Sequence, residues 1–294
     1  MPGGPANTLR WGVRTARSTV ELAHGDTAYT IHGQLGAPRS LLVFGGFHFP
    51  RNCDRFFAEL GGRLGADFCV LTYDYYGRGD SADPGQRYDE ALYLDQATQL
   101  LAKLELSGPL DLLGYSFGGN VVARFAAAQP ERARSLTISG PFGAWAPFLA
   151  PARLLPRIGL GWLLDRLYWR MLRGELARGF DDPTTHAAVI EHMLAVELEI
   201  RGRDPGKLRR AILGTFRHFP TDTRAKIESL AGRELPILLV SGVRDSVCPI
   251  EHIRAMHASL SGSRLVELDA NHNDPWLVEP MREQLLTALV EFLR

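Results

Sequence analysis

Cysteine is scarce in this 294-residue chain. Cys53, Cys69 and Cys248 form an odd set at wide spacings, which fits neither a disulfide framework nor a zinc site and points to a reducing cytoplasm. Charge of one sign is also missing. Lys+Arg and Asp+Glu number 33 each, so the net charge offers nothing to nucleic acid or to an anionic membrane. Lysine is confined to Lys103, Lys207 and Lys226. No stretch of eighteen apolar residues occurs, and Met1 to Asn7 lacks the hydrophobic segment of a signal peptide, so stable membrane insertion is not expected. Internal repeats and low-complexity blocks are absent as well, which sets aside solenoids and linkers. What is present is ordinary globular material, 45% hydrophobic and 22% charged, in a chain long enough for one large domain or two smaller ones.

Hydrophobic patterning divides that material. Residues 1–17 are rich in Gly, Pro and then Arg and read as a loose lead-in. Alternation over Thr19–Ala23 and Ala28–Leu35, joined across His24-Gly25-Asp26, predicts a β-hairpin. Continuous apolar runs at Ser40–Gly45, Phe68–Tyr73, Leu110–Tyr115 and Ser135–Ser139 predict strands buried on both faces. Helical spacing separates most of them, at Asp54–Leu64, Glu90–Leu104 and Asn120–Ala128. From 141 to 233 strand patterns stop and helical ones take over, at Pro151–Leu172, Thr184–Glu199 and Gly206–Phe216. Strand and helix then resume with Leu235–Ser241, Glu251–Leu260, Arg264–Leu268 and Trp276–Leu293. The expected fold is α/β, a mostly parallel sheet with helices on both faces. Residues 18–140 and 234–294 would form the core, with 141–233 as a helical cap over the carboxyl ends of the strands, where open sheets bind ligands.

One segment carries chemistry. Gly114-Tyr115-Ser116-Phe117-Gly118 places a serine between glycines, with a strand pattern before it and a helix pattern behind. A nucleophile elbow needs this context, because the chain must turn sharply and leave no Cβ in the way. A serine hydroxyl also needs a base, an orienting acid and an oxyanion hole. In the elbow architecture these follow in the order Ser, acid, His. Asp245 lies just past a predicted strand in Gly242-Val243-Arg244-Asp245-Ser246-Val247-Cys248-Pro249, whereas the loop after Ser135–Ser139 has no acidic residue. Of the nine histidines, His272 alone follows the last strand and precedes the final helix. His252 and His257 fall in a helical pattern, His186, His192 and His218 in the cap, and His24 and His32 on the hairpin. The oxyanion donors would be the main-chain N–H groups of Phe117, next to the serine, and of Phe47, in the loop Gly45-Gly46-Phe47-His48.

These motifs together resemble the α/β-hydrolase family, in its cap-bearing esterase, lipase and C–C hydrolase branch. The matching residues are Gly45-Gly46-Phe47, the loop Asp74-Tyr75-Tyr76-Gly77-Arg78-Gly79-Asp80-Ser81, Gly114 to Gly118, Asp245 with Pro249, and His272. Gly45 stands where the family usually has histidine, and Asn271 where glycine is common before the base. Asn tolerates left-handed backbone, so the turn is expected to persist. A serine nucleophile argues against the family's epoxide hydrolases and haloalkane dehalogenases.

The resemblance implies a hydrolase that forms an acyl-enzyme from carboxylic esters of small to medium apolar acids. It implies neither cofactor nor metal and a small-molecule partner, the protein being a monomer or homodimer. Cleavage of a carbon–carbon bond in a vinylogous diketone, and ligand binding without catalysis, are the alternative readings. Large aromatics crowd the start of the cap, so Trp145, Phe148 and Trp162, with His48 and Trp276, are expected to line an apolar pocket. The arginines of that stretch (Arg153, Arg157, Arg166, Arg170 and Arg173) read as the solvated face of the helices.

Overall fold

The computed structural model describes residues 17–48, 53–85, 87–141, 161–204, 206–220 and 223–294. Eight strands form one sheet, in the spatial order β1-β2-β4-β3-β5-β6-β7-β8. The strands are β1 (Ser18–Leu22), β2 (Gly25–Gly33), β3 (Arg39–Phe44), β4 (Phe68–Tyr73), β5 (Leu110–Tyr115), β6 (Ala133–Ser139), β7 (Ile237–Gly242) and β8 (Arg264–Leu268). β1 and β2 pair antiparallel as the expected hairpin, and β2 pairs antiparallel with β4. All remaining pairs are parallel. β4, β5 and β7 are buried along their whole length, which is why they read as unbroken apolar runs.

The helices are α1 (Asp54–Leu64), α2 (Glu90–Lys103), α3 (Phe117–Ala128), α4 (Gly161–Arg178), α5 (Ala187–Arg203), α6 (Lys207–His218), α7 (Arg224–Glu228), α8 (Ile250–Ser259), α9 (Asp274–Leu277) and α10 (Met281–Leu293). Two apolar layers flank the sheet. One joins Tyr93 of α2 and Phe125 of α3 to Ile253 of α8. The other joins Phe56 and Phe57 of α1 to Trp276 and Leu289 near the carboxyl end. The inserted helices α4 to α7 lie between β6 and β7 in the chain. Leu172, Leu176 and Met193 extend the second layer, while Ala211 and Ile227 extend the first.

One expectation is corrected. The pattern Trp276–Leu293 is two helices, α9 and α10, separated around Pro280. Proline has no N–H for the helical ladder, and its ring collides with the preceding turn, so the chain breaks there despite continuous apolar spacing.

The sheet order fixes where a site can form. The chain runs from β3 to β4 on one side and returns to β5 on the other, so β3 and β5 are neighbours whose connections leave in opposite directions. Such a switch point opens a crevice beyond the carboxyl ends of the two strands. Phe44 is in register with Gly114, which brings Gly45-Gly46-Phe47 beside Tyr115-Ser116-Phe117.

Candidate active site

Ser116 lies in the turn between β5 and α3 with φ 55° and ψ −122°, a left-handed conformation that side chains rarely adopt. Two glycines make the turn possible. A Cβ on Gly118 would run into the carbonyl oxygen of Phe44, and one on Gly114 into that of Gly118. Strand β5 and helix α3 can therefore pack no more loosely without losing the register of β3 against β5. The Ser116 N–H donates to the Ser139 carbonyl at 2.8 Å, and its own carbonyl accepts from Gly119 N–H at 2.9 Å. The hydroxyl is left at the amino end of α3, where the helix dipole favours negative charge.

The loops after β7 and β8 meet it. Past the strand ends they stay hydrogen-bonded, Val243 N–H to the Leu268 carbonyl at 2.8 Å and Arg244 N–H to the Ala270 carbonyl at 3.0 Å. His272 Nε2 lies 3.1 Å from Ser116 Oγ, and His272 Nδ1 lies 2.7 Å from Asp245 Oδ2. The other carboxylate oxygen, Oδ1, accepts from the N–H groups of Val247 at 2.9 Å and Cys248 at 2.6 Å. An ionised carboxylate only accepts, so the Nδ1–H must point to it, and Nε2 is left as the acceptor for the serine proton. The three side chains chosen from the sequence thus stand in one hydrogen-bonded line, all buried.

Phe47 and Phe117 also come together. Their rings stack with centroids 4.6 Å apart and planes 7° from parallel. Phe117 opens α3, where a main-chain N–H has no intrahelical carbonyl to meet. The Phe47 ring also carries the Arg78 guanidinium 4.7 Å from its centroid and the edge of Phe216 at 5.4 Å.

The pocket residues fare differently. His48 is bonded through Nδ1 to Glu197 Oε1 of α5 at 2.9 Å, so it ties the loop after β3 to the inserted helices. Trp276, expected to line the pocket, is only 2% exposed. It packs among Phe56, Phe57 and Tyr115 because its indole completes the layer between α1 and the carboxyl-terminal helices, and so it backs the site instead of facing it. Trp145, Phe148 and the side chain of Trp162 lie outside the described residues.

Several contributors were not legible in advance. Asn271 is not in the left-handed region expected of it. Its value is in its side chain, whose Oδ1 accepts from His272 N–H at 2.8 Å and Ser246 N–H at 2.9 Å, while Nδ2 donates to the Arg178 carbonyl at 3.0 Å. One amide thereby joins the acid loop, the base loop and α4. Tyr115 donates to the His272 carbonyl at 3.1 Å and to Asn273 Oδ1 at 2.8 Å, and its ring lies 5.0 Å from the imidazole. Burial, with the charge of Asp245 next, pushes the Tyr115 phenol well above its usual range and keeps it a donor. Burial and then Asp245 also push the Cys248 thiol up, so this sulfur beside the acid is protonated and unfit as a nucleophile. Ligand atoms of Asp245, Cys248 and His272 lie within 4.8 Å of one another, a spacing a metal could use, but two of the three side chains are already committed to each other.

With the fold and this geometry in place, the sequence pattern of the Alpha/beta hydrolase family matches residues 22–286, and the chain belongs to that family. It is 25% identical over 227 residues to an uncharacterised protein of Mycobacterium tuberculosis H37Rv, covering 75% of this chain but only 66% of that relative's length. A pimeloyl-[acyl-carrier protein] methyl ester esterase of Neisseria meningitidis serogroup C is 27% identical over 224 residues, 75% of this chain and 82% of that one. Among solved structures, a hydrolase from Pseudomonas aeruginosa PA01 superimposes with a TM-score of 0.75 at 24% identity, over 94% of this chain and 98% of its own. The fold and the family of this chain are therefore those of the α/β hydrolases. Among the described residues no helix is long and apolar enough to cross a membrane.

Proposed function

We propose that the protein is a serine hydrolase of carboxylic esters with small to medium apolar acyl groups. The observation that carries this reading is the line Ser116 Oγ, His272 Nε2, His272 Nδ1, Asp245 Oδ2, with spacings of 3.1 and 2.7 Å. As Ser116 Oγ attacks the ester carbonyl, its proton passes to His272 Nε2, and Asp245 stabilises the imidazolium. The carbonyl π electrons move onto oxygen, which accepts from the N–H groups of Phe47 and Phe117. Collapse of the tetrahedral adduct expels the alkoxide, which takes the proton from His272 and leaves an acyl-serine. Water, deprotonated by His272, then attacks that acyl group and releases the acid while the proton returns to Ser116. The relative that acts on a methyl ester supports ester cleavage, and the aromatic stack of Phe47 and Phe117 supports an apolar acyl group. In this reading the inserted helices form the cap, and residues 18–140 with 234–294 form the catalytic core.

The test is a panel of p-nitrophenyl esters beside a ring-cleavage dienoate, with Ser116→Ala and a fluorophosphonate probe. Ester turnover that falls at least 10³-fold in Ser116→Ala, with the probe on Ser116 of the parent, is expected on the scale of nucleophile removal. Retained turnover in Ser116→Ala sinks the assignment. Turnover of the dienoate alone transfers it to carbon–carbon cleavage, and absence of both turnover and labelling leaves a ligand-binding protein.

A further inference from the structure

Arg78 sits in the loop after β4, between Gly77 and Gly79, and its backbone is fixed by bonds from its N–H to the Tyr75 carbonyl at 2.9 Å and from Ser81 N–H to its own carbonyl at 3.1 Å. The side chain is 3% exposed. Its Nε, Nη1 and Nη2 are all buried, with the Tyr93 hydroxyl as the polar side chain they interact with and no ion pair among the described residues. The acidic side chains of the same loop are engaged elsewhere. Asp74 pairs with Arg17, Asp80 with Arg203 at 2.7 Å, and Asp83 with Tyr88 at 2.7 Å and with Arg210. A buried guanidinium with no ion pair among the described residues is an expensive arrangement for a protein to keep.

Its position gives it a use. The guanidinium caps the Phe47 ring at 4.7 Å, and that ring in turn stacks on Phe117. Phe117 is boxed by Tyr75, Tyr93 and Phe219, with centroids at 5.6, 5.2 and 5.0 Å. Arg78 therefore closes a stack whose other members carry the two amides assigned to the oxyanion. We propose that Arg78 is a positioning residue of the oxyanion hole, its guanidinium clamping the Phe47 ring and hence the Phe47 N–H, its charge favouring the anion that forms there. The inference rests on the serine-esterase reading above. Among the described residues the charge has no carboxylate partner, and a negative charge arises near it only as the tetrahedral oxyanion develops. Interactions stronger in that state than in the ground state raise kcat and leave KM alone.

The experiment compares Arg78→Met, Arg78→Lys and Phe47→Leu in the full chain, each checked by thermal melting. The readouts are kcat and KM on p-nitrophenyl butyrate and inhibition by a phenylboronic acid, whose serine adduct is a tetrahedral anion. Arg78→Met is expected to lower kcat by about tenfold with KM within about twofold, and to weaken the boronate by the same factor, the scale of a cation–π clamp on one donor. Arg78→Lys keeps the charge over the ring and is expected to stay within about threefold of the parent. A folded Arg78→Met with unchanged kcat overturns the proposal, as does a loss confined to KM, or a Lys variant as impaired as Met. Should Arg78→Met fail to fold, Phe47→Leu carries the test, because removing the clamped ring must cost about tenfold in kcat while Lys does not. A parent without Ser116-dependent turnover instead overturns the esterase reading, and this inference with it.

Discussion

Ser116 adopts a backbone conformation that costs a non-glycine residue about 1–3 kcal/mol, and its neighbours must over-determine it. Its bonds to Ser139 and from Gly119 do so, while the side chains facing it are held by Asn271, whose Oδ1 accepts from two main-chain N–H groups in two different loops. Asn271→Ala leaves the His272 N–H buried and unmet, a loss of about 1–3 kcal/mol, while the Ser246 N–H, in an exposed residue, can turn to water. It also frees the imidazole to drift, and a misplacement of about 1 Å can cost roughly 10²-fold in rate. Urea unfolding and kcat on the same preparation check both numbers, and an Ala variant equal to the parent in both would show the amide to be incidental. On the proposed mechanism, Ser116, Asp245 and His272 are legible in the sequence because acyl transfer restricts each position to few residue types at set places relative to strands. Asn271 and Tyr115 are not, because what they bond to is main chain brought in from elsewhere, and nothing in their own neighbourhood names that partner. Trp276 misled for a related reason. Its size suits a pocket or a core equally, and only the packing of Phe56 and Phe57 decides.

At the scale of elements, the buried strands read well because burial on both faces leaves little choice of residue, and β4 and β5 have the bounds their apolar runs predict. The inserted helices read less well. The pattern Thr184–Glu199 became α5 at Ala187–Arg203, since a helix end is set by what it packs against more than by its own spacing. Glu197 illustrates this. It is 4% exposed and meets His48 across the junction between α5 and the loop after β3. Replacing it with alanine removes a charge-assisted bond worth about 1.5–3 kcal/mol, and the loss should localise to the junction. Hydrogen exchange should rise in α5 more than in α10, accompanied by a higher KM, whereas Glu197→Gln, which retains an acceptor, should recover most of the protection. Uniform exchange throughout the fold would show that this bond does not hold the insertion to the core.

For the whole molecule, the sheet order determines more than the architecture, because it is the return of the chain from β4 to β5 across β3 that sets Gly45-Gly46-Phe47 beside Ser116. The same sheet buries His32 of β2 under α1, its ring tilted against Phe57 at 6.4 Å. Burial first, with the charge of Arg17 adding to it, lowers its pKa to about 4. An unfolded chain would protonate this imidazole near 6.5. Between those two values the unfolded state binds a proton that the folded state refuses. Stability is therefore unaffected above about pH 6.5, falls as the pH drops through the window by up to about 1.4 kcal/mol per unit, and levels off below about 4. The whole effect is about 3 kcal/mol, a sizeable part of a typical folding free energy. Carboxylates titrate over the lower half of the same range, so the parent's acid limb alone cannot isolate it. The difference between parent and His32→Leu can. At neutral pH the two should be close, because Nε2 makes no hydrogen bond among the described residues and an apolar side chain relieves it. From pH 6.5 down to 4.5 the variant should gain steadily on the parent in urea midpoint, and parallel curves over that interval would mean that His32 reaches solvent and protonates without disturbing the fold.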